Sequence, residues 1–172
     1  MTLLSPNLSA EAFCATQQRD LAGQNLAAFL GSPDLIASAA ILAETVWEPF
    51  LDLANGATLT SGFRCVELNA RIGGSRPPLG KLSAHVFGRA LDCVPNRTSL
   101  LDAMELLLAS SIHFDKAIVE GVGGARWLHL QIAKAQGSPR RQLLVTYGDR
   151  DPDGRLVYTD FDPHDPRARA FA

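Results

Sequence analysis

The chain has 172 residues, 47% of them hydrophobic and 20% charged, with a formal net charge of −2 at pH 7. That length suits one domain with a real core, and that apolar fraction excludes a disordered chain. The near-neutral balance excludes a global electrostatic pull toward nucleic acid.

The start, MTLLSPNLSAEAF, lacks a basic n-region and a long apolar run, so no secretion signal is expected and the chain reads as cytoplasmic when made. The longest apolar stretch, 35–46, is interrupted by Ser38 and Glu44 and is too short and polar for membrane insertion. Ser9 is placed to cap a helix over 12–19, and a second short helix fits 24–30. Gly31-Ser32-Pro33 breaks the chain, and Pro33 suits the first turn of a long helix running to about Leu53. Leu35, Ala39, Leu42, Val46 and Phe50 recur every three or four residues and predict its buried stripe. Pro49 should kink or end that helix unless a new turn starts there.

Asn55-Gly56 is a turn, ATLTSGFR a strand, CVELNARI a short helix closed by Gly73-Gly74, and RPPLGK a loop. A helix over 99–109 follows, with Thr98 or Ser99 as its cap. DKAIVEG, ARWLHLQIA, QLLVTYG and LVYTDF are further strands. DRDPDGR has the flavour of a calcium loop but lacks the downstream Glu of an EF-hand, so it reads as a hairpin turn. The tail, PHDPRARAFA, is expected to fray. Cys14, Cys65 and Cys93 form no C-x-x-C pair and read as buried thiols of a reducing compartment. Helices dominate the first third and strands the rest, which predicts an α+β fold. No linker is visible, so one domain is expected, with a helical lead-in over 1–55, a core over 57–133 and C-terminal strands and tail over 134–172.

The segment LSAHVFGRALDCV carries the pattern S-x-H-x-x-G-x-A-x-D, and RWLHLQI carries a second histidine after a tryptophan. Two imidazoles and one carboxylate from separate segments are a ligand set for a catalytic zinc with an open position. His85 and Asp92 are seven apart, so one unbroken strand would point them to opposite faces. They can share a metal only if the chain bends between them, and Gly88 permits the bend. Trp127, His129 and Gln131 share one strand face, with Leu128, Leu130 and Ile132 on the other. The bland alternative is a hydrogen-bonded structural histidine and a salt-bridged Asp92.

These segments together resemble the zinc D-Ala-D-Ala carboxypeptidase family. It includes phage L-alanyl-D-glutamate endopeptidases and vancomycin-resistance D,D-dipeptidases, and shares its fold with the hedgehog signalling domain. TSGFRCVELNARIGGS is similar to the family's SGYR-x-x-x-x-N segment, SAHVFGRALD to its S-x-H-x-x-G-x-A-x-D element, and RWLHLQI to its W-x-H strand. FCATQQRDLAGQNL resembles the helical lead-in of phage-type members, so the likeness runs from about Phe13 to Ile132. The resemblance implies a hedgehog/DD-peptidase-like α+β fold with a mostly antiparallel sheet. It implies one zinc ion per chain on His85, Asp92 and His129, with Arg64 at the family's arginine facing an oxyanion or substrate carboxylate. Ser83, Asn69 and Trp127 would support the site or contact substrate.

A zinc peptidase also needs a carboxylate base. Many relatives carry Glu or Asp three residues before the last histidine, where this chain has Arg126. Phage-like and hedgehog-like members carry Glu at the end of the preceding strand, and Glu120 stands there, with Asp115 in reserve. The glycine-rich GVGGAR makes the connection between the two strands look longer than usual. His113 and His164 are expected in packing or loop positions.

The implied activity is hydrolysis of peptide bonds in peptidoglycan stem peptides, as carboxypeptidase or endopeptidase. The implied setting is a phage or prophage product released through a holin or carried on the particle. Two other readings stay open: a metal-holding binding or structural module without turnover, and a non-haem iron oxygenase with a facial triad.

Overall fold

The computed structural model describes residues 2–78, 81–122, 124–134 and 137–171. A short antiparallel pair, β1 (Leu3–Ser5) and β2 (Leu8–Ser9), opens the chain and was not expected from the sequence. Ser9 caps the next helix as expected, its Oγ accepting from the Ala12 N–H at 3.1 Å. That helix, α1 (Ala10–Phe13), is shorter than expected because the Asn25 side chain takes the Cys14 carbonyl at 2.9 Å, diverting the chain. The next helix, α2 (Arg19–Leu30), begins earlier than its apolar pattern suggested.

The long helix forms as α3 (Pro33–Leu42), a π-helical turn (Ala43–Trp47) and α4 (Glu48–Leu53). Pro49 lacks an N–H and cannot complete an α-helical bond in the middle of a helix. The π turn placed just before it lets Pro49 stand in the first turn of α4, so the helical path continues. The chain then runs through β3 (Ala57–Ser61), α5 (Val66–Arg71), a 3-10 turn (Ala84–Phe87) and β4 (Ala90–Pro95). It continues through α6 (Leu100–Ala109), capped by Ser99, then β5 (Lys116–Val122), β6 (Ala125–Gln131), β7 (Gln142–Val145) and β8 (Thr159–Asp160). Part of RPPLGK, residues 79–80, lies outside the described residues, as does Gly123 of GVGGAR.

The main sheet has six strands in the order β3-β4-β6-β5-β7-β8. The architecture is α+β as expected, but the sheet is mixed rather than mostly antiparallel, because β5 and β7 are parallel. The chain leaves β6 beside Lys116 and re-enters at Gln142, also beside Lys116, so β7 must run in the direction of β5. The β5–β6 connection is also tighter than GVGGAR suggested, since pairing continues to Val122 and Ala125. The tail is a helix, α7 (Pro166–Phe171), rather than a frayed end. Ala168 is buried, and the Phe171 ring lies under Arg126 at 4.1 Å and against Tyr147 at 5.2 Å. Asp149 to Arg155 forms the turn of a hairpin closed by the Arg150–Leu156 bridge, as expected.

One sheet face carries Leu91, Cys93, Ala117, Val119, Leu128, Leu130, Leu143 and Val145 into the core. The helices cover it with Phe13, Phe29, Leu42, Phe50, Met104 and Leu107. The alternation of strand side chains leaves the opposite face for chemistry. Among the described residues no single helix is long and apolar enough to cross a membrane.

Candidate metal centre

The strand register arranges the second face in rows. Asp92 on β4 lies opposite His129 on β6, and His129 opposite Ile118 on β5. On one side of that row stand Trp127 and Glu120, directly opposed. On the other stand Ala90, Gln131 and Lys116. His85 reaches the same row from the 3-10 turn. Gly88 closes that turn at φ 64°, in the left-handed region that favours glycine, and supplies the bend between His85 and Asp92.

His85, Asp92 and His129 are 2%, 5% and 7% exposed, so their polar atoms must be satisfied inside the protein. The His85 Nε2 lies 3.2 Å from His129 Nδ1 and 3.2 Å from Asp92 Oδ1, and His129 Nδ1 lies 3.0 Å from the same oxygen. Ligand atoms on a tetrahedral zinc at 2.0–2.1 Å are about 3.3 Å apart, so this triangle has the size of a metal-ligand set.

Hydrogen bonding on the far side of each ring sets the tautomers. His85 Nδ1 donates to the Gly62 carbonyl at 2.7 Å, which leaves a lone pair on Nε2 when the ring is neutral. Gln131 turns its amide nitrogen to Asp115 Oδ2 at 3.2 Å, so its Oε1 faces His129 Nε2 at 3.5 Å. The His129 lone pair is then on Nδ1. Three lone pairs thus converge on one buried point, which is what a metal cation requires. These residues could hold one metal ion, and two nitrogens with one carboxylate oxygen are compatible with zinc.

Burial would raise the Asp92 carboxyl, but when a proton lies on the ring nitrogens that face it the charge of His85 and hydrogen bonds from both imidazoles hold it well below the usual range. Burial lowers His85. Burial acts in the same sense on His129, but the hydrogen bond and charge of Asp92 outweigh it and raise that ring. Asp92 therefore stays an anion and presents Oδ1 to both rings.

Its other oxygen, Oδ2, pairs with Arg64. Arg64 Nε donates to Ser61 Oγ at 2.9 Å, so the guanidinium is tied both to the Asp92 carboxylate and to the end of β3. Ser83 accepts from the His85 N–H at 3.4 Å and donates its own N–H to the Ser75 carbonyl. Asn69 donates to that carbonyl at 3.2 Å, so both residues support the turn that carries His85.

Glu120 shares the metal face. Trp127 Nε1 donates to its Oε2 at 3.2 Å, and Oε1 has no hydrogen bond with a described residue. Burial raises its carboxyl above the usual range against the pull of His129, and the charge of Asp92 adds to the rise. Asp115, the reserve candidate, is committed elsewhere. Arg140 binds both its oxygens, at 2.8 and 2.6 Å, and lowers it. Arg126 points away from the metal face and clamps the Phe171 carbonyl at 3.1 Å. His113 and His164 are exposed, outside the ligand cluster.

Three contributors carried no role in the sequence reading. Asn25 is fully buried and holds the backbone on both sides of Arg64, through the Phe63 carbonyl at 3.0 Å and the Cys65 N–H at 2.6 Å. No local pattern marks it. Gln131 was legible on the His129 face by strand parity, but its link to Asp115 depends on tertiary placement. Tyr158 precedes β8 with 43% of its surface exposed, and partial burial and the charge of Glu120 push its phenol up to about 12.

Compared with known proteins, the chain matches no protein-family model and no curated protein.

Proposed function

We propose that this chain is a zinc-dependent peptidase acting on the stem peptides of peptidoglycan. The observation that carries the reading is one sheet face holding a convergent His85–Asp92–His129 set with a raised carboxyl, Glu120, in the adjoining row. The joint likeness of SGFR, S-x-H-x-x-G-x-A-x-D and W-x-H to the D-Ala-D-Ala carboxypeptidase family supplies the substrate class.

His85 Nε2, His129 Nδ1 and Asp92 Oδ1 would hold a zinc ion, which would supply Lewis acidity toward a carbonyl and toward water. Asp92 stays ionised because Arg64 pairs with its Oδ2. Glu120 Oε1 accepts the proton of the attacking water and returns it to the departing amine. Trp127 holds Oε2 and leaves Oε1 unengaged for that exchange. A carboxyl raised by burial is a stronger base when ionised than a solvated one, which suits this role. In this reading the protein is a phage or prophage product that meets the wall through a holin or on the particle.

The test is a digest of purified muropeptides by the zinc-loaded protein beside Glu120→Ala and His129→Ala, with products read by mass spectrometry. Cleavage by the wild type, lost in both variants, supports the peptidase. A wild type that holds zinc and cleaves nothing sinks it in favour of a binding module. Tight retention of iron with no affinity for zinc points to the oxygenase instead.

A further inference from the structure

The hydrogen-bonded pair Glu120 and Trp127 stands near the end of the β5–β6 hairpin, and its support comes from behind. On the core-facing side of these two strands the last buried pair is Val119 and Leu128. The next pair on that side is Gly121 and Arg126. Gly121 offers no side chain, so the hydrophobic core stops just before the Glu120 row. One more pair, Val122 and Ala125, follows before the chain turns, and both residues are exposed. Two strands without apolar cover are marginal in water, so this end of the hairpin needs another hold.

The C-terminal helix supplies it. The Arg126 side chain packs over Gly121: a Cβ at position 121 would stand 2.5 Å from its Cδ and 2.7 Å from its Nη1. Arg126 Nη1 donates to the Ala125 carbonyl at 2.9 Å, and Nε donates to the Phe171 carbonyl at 3.1 Å. Phe171 ends α7, where a carbonyl lacks a partner inside the helix and a cation is favoured. The guanidinium also lies 4.1 Å from the Phe171 ring. The helix is held in turn by the residue two beyond β7. Phe171 meets Tyr147 edge-on at 5.2 Å, the Tyr147 hydroxyl donates to Asp165 Oδ2 at 3.0 Å, and the Arg167 guanidinium lies 4.1 Å from the Tyr147 ring. These contacts run from β6 through α7 to the end of β7. In the sheet β5 lies between β6 and β7, so they close behind the strand that carries Glu120.

We propose that Arg126 and Phe171 are positioning residues for Glu120: with α7 they clasp the hairpin from behind and fix the placement of the Glu120 carboxyl on the metal face. The proposal rests on the peptidase reading for what Glu120 does there. The lever is short. Gly121 follows Glu120 and Arg126 precedes Trp127, so the clasp holds the chain neighbours of both members of the 3.2 Å bond. Arg126 points away from the metal face, so the effect runs through the backbone and not through contact with metal or substrate. Release of the clasp lets the end of the hairpin open locally, while His129, paired with β4 on one side and β5 on the other, keeps its place.

The experiment reads the Glu120–Trp127 bond itself, on the full chain with zinc. The chain has two tryptophans, so its proton–nitrogen NMR spectrum carries two indole N–H resonances. Trp127→Phe identifies the one that belongs to Trp127, and Glu120→Ala gives its position without the carboxylate. In Arg126→Ala and in Phe171→Ala the resonance should move toward that position, with zinc content and circular dichroism unchanged. Phe171→Tyr keeps the ring and the backbone carbonyl and should leave it in place. In the muropeptide digest both alanine variants should lose about ten- to a hundred-fold in kcat, the cost of a reacting group displaced by about an ångström, with KM near that of the wild type. The clasp is overturned if the resonance keeps its wild-type position in both alanine variants. Loss of zinc or of the fold in both also overturns it, since α7 would then hold the whole sheet and not the Glu120 row; where one variant alone folds, that variant decides. A shifted resonance with unchanged turnover leaves the clasp standing and removes Glu120 from the reaction. A wild type that cleaves no muropeptide sinks the peptidase, and the indole shift still decides the clasp.

Discussion

His85 donates from Nδ1 to the carbonyl oxygen of Gly62 at 2.7 Å, and this one bond decides which nitrogen of the ring faces Asp92 and His129. The carbonyl is held in place by a close approach that only glycine allows. A Cβ at position 62 would stand 2.3 Å from the Phe13 carbonyl oxygen and 2.4 Å from its ring. Gly62→Ala must therefore shift the strand end or α1, and it moves the acceptor of His85 either way. Loss of an outer hydrogen bond to a ligand histidine weakens metal binding about 10–100-fold. Competition with a chromophoric chelator measures this directly. Unchanged zinc affinity in a folded Gly62→Ala protein would show that the bond does not set the ring.

The converging lone pairs predict that metal and stability are linked. At a free zinc concentration a hundred times the dissociation constant, binding stabilises the folded chain by about 2.7 kcal/mol. For a chain of this size that is a rise in Tm of about 5–10 °C. Differential scanning calorimetry with zinc and with a chelator should show that rise in the wild type and none in His129→Ala. Elemental analysis should give one zinc per chain, lost in the same variant. An equal response in both proteins would move the metal elsewhere.

Glu120 has opposite consequences for turnover and for stability. Its carboxyl is raised by burial, so folding favours the protonated form. A raised folded pKa means a contribution present at low pH and lost as pH climbs from the ordinary carboxyl range through the raised value. Glu120→Gln removes that loss. In chelator-treated protein the variant should therefore melt above the wild type at neutral pH, with the gap closing toward acid. Cleavage should fall by about 10²–10⁴, the usual contribution of a general base. In the wild type, cleavage should drop on the acid side as Glu120 takes up its proton. A variant less stable than wild type at neutral pH would mean that Glu120 is held as a favoured anion.

Much of this centre was legible because strands alternate. The odd spacing of His85 and Asp92 demanded a break, and Gly88 provides it at φ 64°. Parity on β6 likewise put Trp127, His129 and Gln131 on one face. Arg64 shows where the local pattern stops. Its position in SGFR was plain, yet its engagement with Asp92 depends on β3 and β4 lying side by side with a register shift between Leu59 and Ser61. The parallel β5–β7 pair was hidden for a similar reason, since strand order follows from where a crossover lands. The helical tail was misread because its driving force is distant: Arg126 and Tyr147 provide the surface that Phe171 covers.

Asn25 is the hardest of these residues to read from sequence and gives the sharpest stability test. Its side chain makes three buried bonds: to the Cys14 carbonyl at 2.9 Å, to the Phe63 carbonyl at 3.0 Å, and from the Cys65 N–H at 2.6 Å. Together they tie α2 to the loop that presents Gly62 and Arg64. Asn25→Ala leaves those backbone groups unpaired in the interior and should cost about 3 kcal/mol in urea unfolding. Asn25→Asp separates the two kinds of bond. An aspartate still accepts from Cys65, but as an anion it faces two carbonyl oxygens that need donors. Folding should then favour its protonated form, whose stabilisation is present in acid and lost as pH rises. Relative to wild type at the same pH, Asn25→Asp should be as unstable as Asn25→Ala at pH 7 and recover part of the loss in acid, since a protonated carboxyl has one donor for the two carbonyls, whereas Asn25→Ala should not. If Asn25→Asp is as stable as wild type at pH 7, the two donor bonds from Nδ2 contribute nothing, and α2 is held to the loop by Phe29 and its packing against Phe13 and Phe63.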